Sequence, residues 1–210
     1  MQTAPIKSMK PYFQVIEDLE GTLDWPTFLQ NDNPVELDIG CGRGLFTFTA
    51  ACANADVNYI GFEIDYREGR RAASRIQKRQ MPNARIIGGD GNLLLQKLIK
   101  PSSVQAAHVY FPDPWWKKKH QKRRIWNQTF VDSLARVLQP GGLVHGWTDV
   151  AEYWEIIQPL MDNQERFTIC EPPNLNDPDH DMDYQTSFDR KKRKLGLPIY
   201  RGLWQLTTES

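Results

Sequence analysis

From residue 34 onward, short β-rich runs alternate with longer amphipathic stretches, a pattern that predicts βαβ units around a mainly parallel sheet. Strands are expected at 35–39, 58–63, 84–88, 105–110 and 143–148, with helices between them at 45–55, 66–80, 91–99 and 128–138. The pattern then changes. A helix at 151–161 and a strand at 167–171 lead into a Pro/Asp/Asn-rich loop over 172–183, followed by a short basic helix and a last strand at 200–207. The short connections there suggest antiparallel pairing at one edge. Residues 1–33, with Pro5, Pro11 and Pro26, read as an N-terminal arm carrying about one helical turn, and residues 34–210 as one domain.

Composition places this pattern in a folded protein. Hydrophobic residues make up 40 % of the chain and charged residues 25 %, away from the disordered regime of few apolar groups and large net charge. No apolar run approaches the roughly 18 residues of a membrane span, and the first residues hold no secretory core. Cys41, Cys52 and Cys170 form no CxxC pair, which fits reduced thiols in a cytoplasmic protein. The 26 basic and 26 acidic residues cancel, which argues against a uniformly cationic nucleic-acid coat. The cations are nonetheless clustered: six lie between Arg67 and Arg79, six between Lys117 and Arg124, and five from Arg190 to Lys194. A zero total can conceal basic surfaces.

The first strand runs into Asp38-Ile39-Gly40-Cys41-Gly42-Arg43-Gly44, and an apolar helix starts at Leu45. Glycines suit a sharp strand-to-helix turn that a ligand approaches closely, although GxGxG is not the GxGxxG dinucleotide fingerprint. Asp38, at the ligand end of the strand, would repel a pyrophosphate and attract an ammonium. Glu63 ends the second strand, where an acid can take both hydroxyls of a ribose. Asp90 follows the third strand and can accept from an adenine amino group. S-adenosylmethionine has an ammonium, a sulfonium, a free ribose and no phosphate, so Asp38, Gly40, Gly42, Gly44, Glu63 and Asp90 suit it better than NAD. The plain alternative for each acid is a helix N-cap or a loop hydrogen bond, above all for Asp90 just ahead of a helix.

The most specific stretch is Tyr110-Phe111-Pro112-Asp113-Pro114-Trp115-Trp116-Lys117-Lys118-Lys119-His120-Gln121-Lys122-Arg123-Arg124. It leaves the carboxyl end of the fourth expected strand, and its prolines hold the Asp113 carboxylate in one direction. The tryptophans can stack a base and the following cations can track phosphates. The run resembles the FPDPWxKxRHxKRR signature of the bacterial tRNA (guanine-N7)-methyltransferase family, and LDIGCGRG resembles that family's glycine loop. Trp147-Thr148-Asp149 resembles its A-T-D, and Thr186-Ser187-Phe188-Asp189, followed by a basic run and Gly196, its T-K-F-E…R-x-G. Departures are Trp116, Gln121, Ser187 and Asp189, where the family commonly has His, His, Lys and Glu.

The resemblance implies a Rossmann-like class I S-adenosylmethionine-dependent methyltransferase with a mostly parallel seven-stranded sheet and helices on both faces. It implies cofactor contacts from Asp38, Glu63, Asp90 and Asp113, with Asp113 also catalytic. It further implies substrate contacts from Lys117, Asp149, Thr186, Ser187, Phe188 and Asp189, and RNA along Lys119, His120, Gln121, Lys122, Arg123 and Arg124. The expected partner is tRNA, engaged at guanine 46 of the variable loop by a monomer or homodimer, with no membrane and no metal. His108, His120, His145 and His180 have no paired ligand spacing, and the alternating Asp177, Asp179, Asp181 and Asp183 do not match a calcium loop. Two other readings stay open: a methyltransferase of the same fold acting on an amino group, and a non-catalytic RNA-binding scaffold.

Overall fold

Residues 9–174 and 186–208 are described by a computed structural model. Its strands are β1 (Phe13–Val15), β2 (Val35–Ile39), β3 (Asn58–Glu63), β4 (Ala84–Gly88), β5 (Val104–Tyr110), β6 (Leu138–Thr148), β7 (Phe167–Cys170) and β8 (Tyr200–Leu206). The helices are α1 (Trp25–Leu29), α2 (Leu45–Ala53), α3 (Tyr66–Lys78), α4 (Gly91–Leu98), α5 (Gln128–Val137), α6 (Ala151–Asp162) and α7 (Ser187–Lys194), with 3₁₀ turns at Ile16–Asp18 and Lys118–Arg123. They form one sheet in the order β1-β4-β3-β2-β5-β6-β8-β7. Pairing is parallel from β1 to β6 and antiparallel for β6–β8 and β8–β7.

This α/β architecture is the Rossmann-like one expected, with eight strands instead of seven. The additional strand is β1, drawn from the segment read as an arm. It aligns Phe13 with Ile86 and Val15 with Gly88, and the Phe13 ring is buried against α3 and β4. The β6 strand also starts earlier than expected, at Leu138, because the chain passes through an irregular pairing near Gly141 and Gly142 without leaving the sheet. The Asp177–Asp183 alternation lies outside the described residues.

Strands buried on both faces need near-continuous apolar runs, and here alternate residues feed two cores. Leu37, Ile39, Ile60 and Phe62 join the helices α1, α4, α5 and α6 on one face. Tyr59, Ile86, Tyr110 and Trp147 join α2 and α3 on the other. The α3 helix begins at Asp65, whose side chain accepts from the Arg67 N–H, and presents Gly69, Ala72, Ala73 and Ile76 as one small-residue stripe toward the sheet. Small residues there let α2 and α3 lie close together. Strand order reverses at β2, which has β3 on one side and β5 on the other. In open α/β sheets such a switch point leaves a crevice at the strands' carboxyl ends.

Gly44 is where that packing is tightest. It caps α2 with a left-handed φ of +64°, and a Cβ on it would sit 2.7 Å from the Ala72 Cβ. Gly44→Ala therefore combines backbone strain with overpacking, for an expected loss of about 2–4 kcal/mol. Urea denaturation checks this, and a loss below about 0.5 kcal/mol would show that α2 and α3 part without cost.

Candidate active site

Asp38 sits near the carboxyl end of β2 and is buried, 3 % exposed. The Thr47 hydroxyl, from the first turn of α2, donates to its Oδ2 at 2.6 Å. Burial pushes the Asp38 carboxyl up to about 6, opposed by the Thr47 hydrogen bond and by nearby His108. The glycine loop that follows is tied to β3: the Gly40 and Cys41 N–H groups both donate to the Phe62 carbonyl at 2.9 Å. Glu63 completes the tie, accepting from Gly42 N–H at 2.7 Å and Asp65 N–H at 2.8 Å. Gly40 and Gly42 have left-handed φ values of +83° and +53°, and a Cβ at either would meet nothing within 4 Å. The loop is thus a rigid cradle open toward the crevice. Asp90 realises the plainer alternative, capping α4 by accepting from Asn92 N–H at 2.8 Å and Leu93 N–H at 3.3 Å through Oδ1.

The segment after β5 is held by its backbone. Phe111 and Trp115 both adopt left-handed φ, +53° and +43°, a costly conformation for aromatic residues that bracket Pro112-Asp113-Pro114. The Phe111 N–H donates to the Trp147 carbonyl at 2.9 Å. Arg124 turns inward: its Nε donates to the Pro114 carbonyl at 2.7 Å, and its guanidinium lies 5.1 Å from the Tyr153 ring centre. Arg123 covers the Trp115 ring at 5.1 Å, and His120 meets that ring edge-on. Of the residues expected along RNA, Lys119, Gln121 and Lys122 are exposed and unencumbered in this way. Asp113 itself is exposed, as is Trp116 beside it.

Parallel pairing of Tyr110 with Trp147 sends the chains after β5 and β6 out side by side. Between them is a cavity of about 440 Å³ whose walls include Asp113, Trp116, Asp149, Glu152 and Lys192. Asp113 and Asp149, far apart in sequence, are therefore brought together. Lys117 does not reach this cavity; Lys192 of α7 does, with its Nζ 2.6 Å from Asp149 Oδ2. Nothing in the sequence distinguished Lys192 from its basic neighbours. Thr186 caps α7, accepting from Asp189 N–H at 3.0 Å. Asp189 is fully buried and lies near Tyr110, whose phenol is pushed up by burial first and then by Asp38, Glu36 and Asp189. The side chains of Ser187 and Phe188 lie outside the described residues.

The remaining candidates are structural. His108 is buried between Glu36, 2.8 Å from Nε2, and the Tyr110 hydroxyl, 2.9 Å from Nδ1, and stacks on His145. Among the described residues no His/Cys/Asp/Glu group can hold a metal, and no helix is long and apolar enough to cross a membrane. Among the basic residues on and just after α3, Arg70 lies over Phe13 and Arg75 and Arg79 over Phe48, while Arg71 pairs with Glu68. A larger cavity of about 1240 Å³ beside α2 and α3 shares no residue with the glycine loop or with 111–116.

Asp38 gives this site a measurable stability cost. Its carboxyl titrates near 6 instead of near 4, so between those values the folded state holds the proton more tightly than the unfolded state. Stability contributed by this group falls as pH rises through that window, by about 3 kcal/mol in all. Asp38→Asn keeps an acceptor for Thr47 and removes the charge. It is expected to raise the Tm of the ligand-free protein at pH 7 and to flatten the pH dependence between 4 and 6; an unchanged or lower Tm would show that the charge is already compensated.

A family model described as "Putative methyltransferase" matches residues 32–202. A tRNA (guanine-N(7)-)-methyltransferase of Rhodopirellula baltica is 36 % identical over 203 residues, covering 94 % of this chain and 75 % of that one. One of Alcanivorax borkumensis is 34 % identical over 209 residues, covering 99 % and 85 %. The crystal structure of the 16S rRNA methyltransferase KamB superimposes with a TM-score of 0.64 at 16 % identity, covering 90 % of this chain and 96 % of that one, which shows the class I methyltransferase fold. Sequence similarity of this extent, carried across nearly the whole chain, makes the protein a member of the tRNA (guanine-N7-)-methyltransferase family.

Proposed function

We propose that the protein methylates N7 of guanine 46 in the variable loop of tRNA, in the cytoplasm, using S-adenosylmethionine. The observation that carries this reading is the cavity shared by Asp113 and Asp149 past the end of β5, the strand paired in parallel with β2, from which the open glycine loop emerges. The residues present fit the methyl donor: the Asp38 carboxylate suits its ammonium, Gly40 and Gly42 leave room for a close approach, and Glu63 and Asp90 keep lone pairs for ribose and adenine groups. When bound, it supplies a methyl group on a positively charged sulfur.

Guanine N7 carries an in-plane lone pair and no proton, so no base is needed to create the nucleophile. The protein's work is alignment and exclusion of water. The carboxylates of Asp113 and Asp149 accept from the guanine N1–H and 2-amino groups and turn N7 toward the cradle. Positive charge growing on the purine during transfer strengthens both hydrogen bonds, so they bind the transition state better than the ground state. Asp113 keeps its aim through the left-handed residues on either side and through Arg124 on Pro114. Trp116, 60 % exposed, is placed to stack a base. Lys119, Gln121 and Lys122 supply the outer RNA surface, with Thr186 and Asp189 ordering the α7 end of the site.

Incubation with labelled methyl donor and unmodified tRNA, followed by aniline cleavage, tests the reading. Cleavage at guanine 46 is expected; methyl incorporation without aniline-sensitive sites would point to an amino-group product instead. Asp113→Ala is expected to lower kcat about 100-fold or more, and near-normal turnover would remove Asp113 from the mechanism. The basic segment separates into two kinds of residue. Lys119→Ala and Lys122→Ala should each reduce the slope of log affinity against log salt by about 0.7–0.9 with little change in kcat. Arg124→Ala should lower kcat instead, because it releases the Pro114 carbonyl; equal salt effects in all three variants would contradict this division.

A further inference from the structure

We infer that Lys192 is a specificity-determining residue that reads guanine O6, as the donor half of a donor–acceptor pair whose acceptor half is Asp149. The inference rests on the guanine-N7 reading above and assigns a contact that reading leaves open. The observation behind it is the 2.6 Å ion pair between Lys192 Nζ and Asp149 Oδ2, both side chains about one-fifth exposed and both on the wall of the Asp113 cavity.

A carboxylate held against an ammonium offers an acceptor beside a donor. The Watson–Crick edge of guanine offers the complement: the O6 acceptor adjoins the N1–H and 2-amino donors. Asp149 takes N1–H and the ammonium takes O6, while the 2-amino group is left to Asp113. Adenine reverses the order, with an amino group where guanine has O6 and a bare N1 where guanine has N1–H, so donor meets donor and acceptor meets acceptor. Rejection by unpaired buried polar groups is far stronger than rejection by shape. Lys117, the substrate contact implied by the family resemblance, is exposed and off the cavity. Lys192 is also set in place before substrate arrives, because α7 is fixed at its start by the Thr186 cap and by fully buried Asp189. A preset donor loses little freedom on binding.

The test uses the full-length protein and ligated tRNA carrying either guanosine or 2,6-diaminopurine riboside at the target position. The second base keeps N7 and the 2-amino group but replaces O6 by an amino group and N1–H by a bare nitrogen. Wild type is expected to favour guanosine by about 1000-fold or more in kcat/KM. Lys192→Met is expected to lower kcat/KM on guanosine about 10–100-fold while leaving the diaminopurine value within about threefold, so the ratio collapses by the difference. Lys192→Gln, which keeps a neutral donor, should reduce the ratio by less, and it decides the matter if the Met variant does not fold. The guanosine-over-diaminopurine difference in tRNA affinity, measured without methyl donor, should shrink in the same order. A wild-type ratio in the variants, with both substrates slowed equally, would overturn the inference and leave Lys192 as a pin for α7. Failure of wild type to methylate N7 of the guanosine substrate would instead sink the underlying reading.

Discussion

Tyr110 on β5 lies opposite Trp147 on β6, and because the two strands run the same way, the chain leaves both at the same edge of the sheet. Most of the candidate site follows from that pairing. It sets the Asp113 segment beside Asp149, and the Phe111 N–H fastens onto the Trp147 carbonyl at the point of exit. The neighbouring β2–β5 pair then sets the Asp113 loop next to β2, where strand order reverses and the glycine loop emerges. Parallel pairing of this kind needs long crossovers, which α4, α5 and their connections provide. A site assembled from such distant segments depends on the whole sheet forming before any part of it has its geometry.

Much of this was legible in the chain because parallel strands buried on both faces write strong apolar runs. The five strands from β2 to β6 stand out in the apolar pattern, and Asp38, Glu63, Asp113 and Asp149 all fall at or near their ends. What failed to show is what has no local signature. β1 is three residues long and lies between prolines, and only its pairing with β4 makes it a strand. The start of β6 was hidden because Gly141-Gly142 reads as a break. Charge counting cannot give direction: Arg124 and Lys122 look alike in a basic run, yet one is drawn in by a carbonyl and a ring while the other faces out. Lys192 was invisible for the same reason, since its partner lies some forty residues away and no periodicity links the two.

The site concentrates unfavourable states that the surrounding fold sustains. Asp38 is a buried carboxylate whose desolvation is only partly offset by its hydrogen bonds to Thr47 and by nearby His108, and Phe111 and Trp115 hold backbone conformations that bulky side chains disfavour. These costs fall where a ligand would meet the chain, and the compensation lies elsewhere, in two cores of closely packed aliphatic and aromatic residues. Glu63 shows the opposite economy. It spends both oxygens on backbone amides, so the loop keeps its shape whether or not anything occupies it.

The sheet's two margins are its shortest strands: β1 has three residues and β7 has four. A sheet edge is a row of backbone groups that another chain can extend, and the hazard grows with the length of the row. By tapering at both ends, this eight-stranded sheet offers few such groups at its margins. The practical consequence is colloidal. A chain of zero net charge has no long-range repulsion to keep its copies apart near neutral pH, so brevity at the margins does the work against strand-to-strand association that charge does in more acidic or basic proteins.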